Sequence, residues 1–461
     1  MKTTDRIGVI SASVLTAAYG RMSEFQKVSI RRRRLLQIVH YAKARSPLFS
    51  ELFAGLGDDF ELGDLPVTTK TGLMERFDDW VTDGAVSLDG LREFMNDPDN
   101  NGRLFLHKYL VFKTSGTTGP PMVFLYDKSM INVLNAVALE RGFPTARERS
   151  AFFLRRCKAA VVCSSVGFNI SSGMLRFGQS VNPVKRYGME LFDVFAPLPE
   201  VTERLNRFRP AMLGGYPSSL CTLAQEQIAG RLNISPLIVL AGGEYLSEDS
   251  IKTLQAAFGR RPVNSYASTE SGTIANECAC GHMHINDDWI VMEPVDSENK
   301  PVAAGRLADK WLLTNLCSFT QPIIRYEVTD RIIYHDEGCP CGRKSPWVEV
   351  EGRASDMLRF RGEDGEIEFA PLFLDNIISN ITGVKIFQAI LHDGDRLELR
   401  LVADGGAPVF ENVKAAVDAF LSKNGIHVSI YLSDDPPGPD KSGKFIHVRN
   451  APENEPPQAR V

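Results

Sequence analysis

Apolar positions along this chain recur with two periods. Between residues 24 and 45 they come every three or four positions. Val28, Leu35, Val39 and Ala42 then share one face, which predicts an amphipathic helix ended by Ser46-Pro47. Arg31 to Arg34 fall inside it and are expected on a solvated face laced with salt bridges, rather than as a membrane or nucleic-acid patch. Further on, short apolar runs alternate with helical patterns. Tyr109 to Lys113 reads as a strand entering a glycine-rich loop, Met212-Leu213 as a short buried strand, and Leu237 to Ala241 as an apolar strand. Val201 to Phe208, Ser218 to Ala229 and Ser247 to Phe258 read as helices, the last opened by Ser247 as N-cap. Strand alternating with helix predicts parallel α/β layers.

The pattern changes after about residue 356. Lys385 to Leu391 and Leu397 to Val402 are predicted strands joined by Asp393-Gly394-Asp395, Glu411 to Leu421 a helix, and His427 to Leu432 another strand. The predicted fold class is therefore α/β: a large N-terminal domain of α/β layers over residues 1–355 and a small C-terminal α+β domain over 356–461.

Composition narrows the function. At 461 residues the chain is too long for one core, and 43% hydrophobic with 24% charged residues marks a globular protein. A net charge of -5 argues against nucleic acid as the main partner. No run of about 18 apolar residues predicts a membrane span. Ile7 to Tyr19 is mildly apolar but broken by Gly8, Ser11, Ser13 and Thr16, with Asp5 and Arg6 close by, so a signal peptide is not expected. Of eight cysteines, four crowd into two short clusters, the pattern of a reduced cytoplasmic protein with a metal site rather than of a disulfide framework.

Several loops carry candidate chemistry. Thr114-Ser115-Gly116-Thr117-Thr118-Gly119 combines hydroxyls and glycines, which suits a phosphate cradle, although it lacks the Walker pattern and also fits a polar turn. Ser265-Tyr266-Ala267-Ser268-Thr269-Glu270 offers an aromatic face, hydroxyls and a carboxylate able to hold Mg²⁺, and equally reads as a strand-to-loop junction. Gly242-Gly243-Glu244 follows a buried strand and would let a flat ligand lie against backbone, or simply make a tight turn. Asp330 is a candidate acceptor for ribose hydroxyls. Gly352-Arg353-Ala354-Ser355-Asp356 marks the change of pattern, and Lys444 follows a flexible Ser442-Gly443.

These elements, in this order, resemble the adenylate-forming superfamily of acyl-CoA synthetases and adenylation domains. Within it the chain looks most like the phenylacetate–CoA ligase branch, through L-P-V-T-T-K at residues 65–70, G-Y-P-S-S at 215–219, A-G-G-E-Y-L-S-E at 241–248 and C-P-C-G-R at 339–343. The resemblance implies a two-step reaction. ATP and a carboxylic acid, aromatic by the branch, give an acyl-adenylate, and a thiol, usually coenzyme A, displaces AMP. It implies that Ser115, Gly116, Thr117, Thr118 and Gly119 hold phosphates, and that Gly242, Gly243, Glu244, Ser265 and Tyr266 border the adenine. Thr269 would bind the α-phosphate, Glu270 the Mg²⁺ and Asp330 the ribose, with Arg353 supporting the nucleotide. Asp356 would be the hinge of a mobile C-terminal domain, and Lys444 the catalytic cation. The acid is expected between Val166–Gly178, Gly214–Tyr216 and Ala267. Cys278, His284, Cys339 and Cys341 supply three thiols and one imidazole, the closed set of a structural Zn²⁺ site, with Cys280 and His282 as competing ligands. Two departures stand out: Pro120-Pro121 replaces the lysine usual after the phosphate loop, and acids replace the asparagine usual after Arg361-Gly362. They leave a carrier-protein thiol, another nucleophile, or transfer from a preformed acyl-CoA as alternatives. A homodimer is the expected assembly.

Overall fold

The computed structural model describes residues 8–114, 122–165, 167–353, 357–362, 365–369, 371–379, 381–405, 407–423, 425–438 and 445–451. Ser115 to Gly119, Asp356 and Lys444 lie outside them, as does the side chain of Arg353. The chain divides into two compact units. The first comprises Met1–Leu246, Ser250–Val328 and Ile332–Glu349; the second comprises Ser247–Asp249, Thr329–Arg331 and Val350–Val461.

The strands, numbered along the chain, form five sheets among the described residues. A hairpin pairs β1 (Leu110–Lys113) with β2 (Val123–Tyr126). The main sheet holds β3 (Ala159–Cys163), β4 (Met189–Asp193), β5 (Met212–Gly215), β6 (Ile238–Gly242) and β7 (Val263–Ser268) in parallel. Antiparallel β8 (Gly272–Glu277) and β9 (Met283–Ile285) extend it, followed outward by β15 (Trp347–Arg353), β14 (Asp330–His335) and β11 (Leu307–Ala308). A three-stranded antiparallel sheet joins β10 (Ile290–Val295), β12 (Lys310–Asn315) and β13 (Tyr326–Val328). In the second unit β16 (Leu358–Gly362) pairs with β17 (Gly365–Phe369). A four-stranded sheet there runs in the order β20 (Ser429–Leu432), β19 (Arg396–Ala403), β18 (Val384–His392), β21 (Val448–Asn450).

The strand order of the parallel part is β4-β3-β5-β6-β7. Chain order therefore reverses between β3 and β5, and in an open α/β sheet the crevice beyond the carboxyl ends at such a point is where ligands bind. β6 is apolar along its length, and helices cover the face that carries Val239 and Ala241. Ala160, Leu213 and Val239 pack there with Leu205, Leu220 and Leu254 of the helices Leu198–Phe208, Pro217–Ile228 and Glu248–Phe258. The second unit has its own core, with Phe387, Leu397 and Leu399 against Val413, Val417 and Leu421 of the helix Ala407–Lys423. That helix outruns its predicted span at both ends.

The helix Glu24–Arg45 forms as predicted, opened by a Ser23–Gln26 capping box. Leu35, Val39 and Ala42 of the predicted face are buried, and the first turns differ. Val28 is exposed, whereas Lys27 is buried against the ring of Tyr19. The arginine run is not all solvated either. Arg34 is buried, stacked 3.4 Å from the Trp289 ring centroid and donating to the Asp288 carbonyl, and Arg31 pairs with Asp287. Period alone misses this because the neighbouring surface is acidic and aromatic, not aliphatic. The mildly apolar N-terminal stretch forms the helix Val9–Tyr19, whose Tyr19 hydroxyl donates to Asp287 at 2.8 Å. Among the described residues, no helix is long and apolar enough to cross a membrane.

Candidate active site and metal centre

Three segments frame the candidate site. The first is the end of the β1–β2 hairpin, where the Thr114 N–H donates to Met122 O (3.0 Å) and the Thr114 hydroxyl accepts from Met122 N (2.9 Å). The second follows β3, where Phe168 O accepts from Lys113 N at 2.8 Å. The third is the β7–β8 turn. There the Tyr126 hydroxyl donates to Thr269 O at 2.9 Å, and the Asn315 amide reaches Glu270 O at 3.5 Å. Burial, with the nearby Glu270 charge, holds the Tyr126 phenol well above its ordinary range, so it stays a donor. Gln321 braces the same hairpin like a short extra strand, accepting from Leu125 N (2.9 Å) and donating to Val123 O (3.0 Å).

The turn is thus held by its main chain. Among the described residues nothing hydrogen-bonds to the Thr269 hydroxyl or the Glu270 carboxylate, and both residues are half-buried. A hydroxyl and a carboxylate held this way can meet a phosphate and a divalent cation. Tyr266 and Ser265 lie on β7, with the Tyr266 ring 6.2 Å from that of Trp311. Gly242 and Gly243 end β6. Gly243 has φ +82°, and a Cβ there would sit 3.0 Å from the Tyr216 ring, so the turn itself demands glycine. The Glu244 carboxylate accepts from Ser218 N and Ser218 Oγ, both at 3.0 Å, which places its charge on the N-terminus of the helix Pro217–Ile228.

Residues 167–178, Gly214–Tyr216 and Ala267 stand at the ends of β3, β5 and β7 or in the helix that follows β3, around the point where strand order reverses. Val166 lies outside the described residues. Asp193, ending β4, accepts from the Ser165 hydroxyl in the same region. In the second unit Asp330 opens β14 and Arg353 closes β15.

The metal candidates come together at the other end of β7–β8. Cys278 follows β8, His284 lies on β9, and Cys339 and Cys341 sit on the loop between β14 and β15. Their ligand atoms all lie within 4.8 Å of one another. Cys278 Sγ is 3.8 Å from Cys339 Sγ, and Cys341 Sγ is 3.3 Å from His284 Nε2. A tetrahedral zinc with Zn–S of about 2.3 Å and Zn–N of about 2.0 Å has edges of about 3.8 Å (S to S) and about 3.5 Å (S to N), so the donor set fits that ion. His284 Nδ1 faces Ser345 O at 2.8 Å, which turns Nε2 toward the thiols, and burial lowers its pKa, favouring the neutral ligand form. Burial opposes ionisation of Cys278, but the backbone N–H groups of Cys280 and His282 and the neighbouring thiols outweigh it and bring that thiol below its ordinary range. Of the competing ligands, Cys280 is exposed, and His282 is stacked 4.0 Å from Trp347 with Nδ1 3.3 Å from Cys339 Sγ.

Some supporting residues gave no sequence signal. Tyr126 and Asn315 are ordinary residues until the fold brings them to the β7–β8 turn, and Gln321 until it meets the β1–β2 hairpin. Gln388 on β18 is another: its amide donates to Gly438 O (3.0 Å) and Ile446 O (3.1 Å) and accepts from Gly438 N (3.2 Å), binding the described residues on either side of 439–444.

No protein-family model matches the chain. Among curated proteins, Protein CapK of Staphylococcus aureus is 23% identical over 211 residues, a match covering 42% of this chain and 45% of CapK, so the likeness spans under half of either protein. Among solved structures, a 2-hydroxyisobutyryl-CoA ligase in its postadenylation state, bound to an acyl-AMP, superposes with TM-score 0.70 at 19% identity, covering 94% of this chain and 91% of that one. ATP-bound MatB from Rhodopseudomonas palustris gives 0.52 at 16% identity, covering 73% and 66%. The chain has the fold of these adenylate-forming enzymes.

Proposed function

We propose that this chain is an ATP-dependent acid–thiol ligase, which joins a carboxylic acid to AMP and then passes the acyl group to coenzyme A. The observation that carries the reading is the β7–β8 turn, with Thr269 and Glu270 tied by their main chains to Tyr126 of β2 and Asn315 of β12 and their functional groups left to a ligand. In this reading Ser115 to Gly119 cradle the phosphates, and Gly242 to Glu244 with Ser265 and Tyr266 border the adenine. Thr269 meets the α-phosphate, Glu270 holds Mg²⁺, Asp330 takes the ribose and Arg353 supports the nucleotide. Lys444 offsets the charge on the reacting carboxylate and phosphate, and Asp356 is the hinge by which the second unit brings it in and withdraws it. The acid is aromatic by the resemblance to phenylacetate–CoA ligases, and its pocket lies where strand order reverses between β3 and β5. The Cys278, His284, Cys339 and Cys341 set holds one structural Zn²⁺.

Pro120-Pro121 in place of the usual lysine favours one second reading, an acyltransferase that starts from a preformed acyl-CoA and never uses ATP. One experiment separates them. The protein is incubated with ATP, Mg²⁺ and a panel of aryl acids, with and without coenzyme A, while pyrophosphate release and acyl-AMP mass are followed. Acyl-AMP without coenzyme A supports the ligase. Thioester only when coenzyme A is added points to that thiol, and its absence points to a carrier-protein thiol or another nucleophile. No acyl-AMP with any acid defeats the proposal.

A further inference from the structure

The first unit contains a cavity of about 260 Å³ away from the β7–β8 turn. Two internal rulers set the separation. His284 on its wall pairs with Asn276, four residues along β8 from Gly272, which is roughly 13 Å of strand. The helix Lys128–Arg141 starts next to Tyr126 and ends at the wall with Arg141, 14 residues or roughly 21 Å later.

The wall is cationic. Arg21, Lys27, Arg141, Arg149, Arg343 and Lys344 line it, against a single carboxylate, Glu140. Two of these cations are already matched: Arg141 by Asp288 and Asn286, and Arg149 by Glu140. Arg21, Arg343 and Lys344 have no ion-pair partner among the described residues. Lys27 is the telling one. Its side chain is 1% exposed, and its ammonium lies 3.8 Å from Glu24, a carboxylate that is itself largely in water. No described residue accepts a hydrogen bond from it. Glu24 is exposed, so that pairing is weak, and the ammonium can take a further acceptor from the cavity that Lys27 lines.

We propose that this cavity is an anion site for a phosphate group, distinct from the candidate active site. A monocarboxylate would leave most of the unmatched charge standing. A phosphate, with up to three anionic oxygens, can bridge the two guanidiniums and reach the buried ammonium, and guanidinium forks suit its geometry. Bound there it would tie Arg21 and Lys27 of the N-terminal segments to Arg343 and Lys344 beside the metal loop, so occupancy should stabilise the first unit.

The test uses the full-length, metal-loaded protein. Inorganic phosphate is titrated by calorimetry and by thermal melting, against sodium chloride at matched ionic strength. Phosphate should bind and raise the melting temperature where chloride does not. Lys27→Met and, separately, Arg21→Gln should each weaken phosphate binding by about tenfold. Arg21 is exposed, so its variant folds whatever the fate of the other. Glu270→Gln should bind phosphate as the unaltered protein does, which separates this site from the β7–β8 turn. Glycerol phosphate is run in parallel: binding of phosphate alone marks a free-ion site, and binding of both marks one open to phosphorylated metabolites. Stabilisation that chloride reproduces, or phosphate affinity unchanged in both cavity variants, overturns the proposal.

Discussion

The two ends of the β7–β8 hairpin are built on opposite plans. At the turn, Thr269 and Glu270 are gripped through their carbonyls by Tyr126 and Asn315, and their side chains bond to no described residue. At the other end Cys278, His284, Cys339 and Cys341 converge through their side chains, within 4.8 Å of one another. One plan fixes backbone and leaves chemistry open; the other consumes its functional groups in holding loops together. Substitutions at the turn should therefore change catalysis before stability, and substitutions at the metal end the reverse.

The largest effect is expected at Glu270. Glu270→Gln keeps the size and removes the charge, so Mg²⁺-dependent pyrophosphate release should fall by about 10²–10³ while the melting temperature holds. A protein that melts early would break the contrast. Lys444→Ala should slow adenylation by a comparable factor of about 10²–10³ yet leave thioester formation from supplied acyl-adenylate nearly intact, with Lys441→Ala as a mild control. Equal losses in both half-reactions would show that one lysine serves both.

At the metal end the expected signature inverts. The purified protein should carry about one zinc per chain by elemental analysis, and Cys339→Ser should lose it together with about 4 kcal/mol or more of stability. Zinc-free protein that is fully stable would remove the metal from the comparison. Tyr126→Phe is the smallest change and straddles the two plans. Losing the bond to Thr269 O should cost about 1–2 kcal/mol, and in addition raise KM for ATP, read by denaturant melts beside steady-state rates.

The two ends also differed in how far the sequence disclosed them. The metal set could be named because thiols and imidazoles at short spacing have few other uses, and strand register then brings His284 to Cys341. The turn could be named only as a run of residues. What holds it comes from β2 and from Asn315 at the end of β12, across 143 and 45 residues of chain, and Tyr126 in a buried strand looks like core. The helix Glu24–Arg45 shows the same limit at smaller scale. Its span and cap were legible, but Lys27 rather than Val28 faces inward because Tyr19 and Asp287, far apart in sequence, build the surface it meets. Elements of regular period, such as β18, β19 and the helix Ala407–Lys423, were legible as far as local pattern governs them.

Trp347 gives the metal end a built-in optical readout. Its indole is sandwiched between two imidazoles, with His282 at 4.0 Å and His335 at 3.6 Å, both nearly parallel, and it is 8% exposed. One imidazole belongs to the β8–β9 segment that carries Cys278 and His284, and the other to β14. If the cluster holds zinc as proposed, stripping the metal would release the first and let water onto the ring. The emission of this tryptophan, isolated by replacing Trp80, Trp289 and Trp311 with phenylalanine, should then shift to longer wavelength. Metal occupancy could be followed in real time without any added dye.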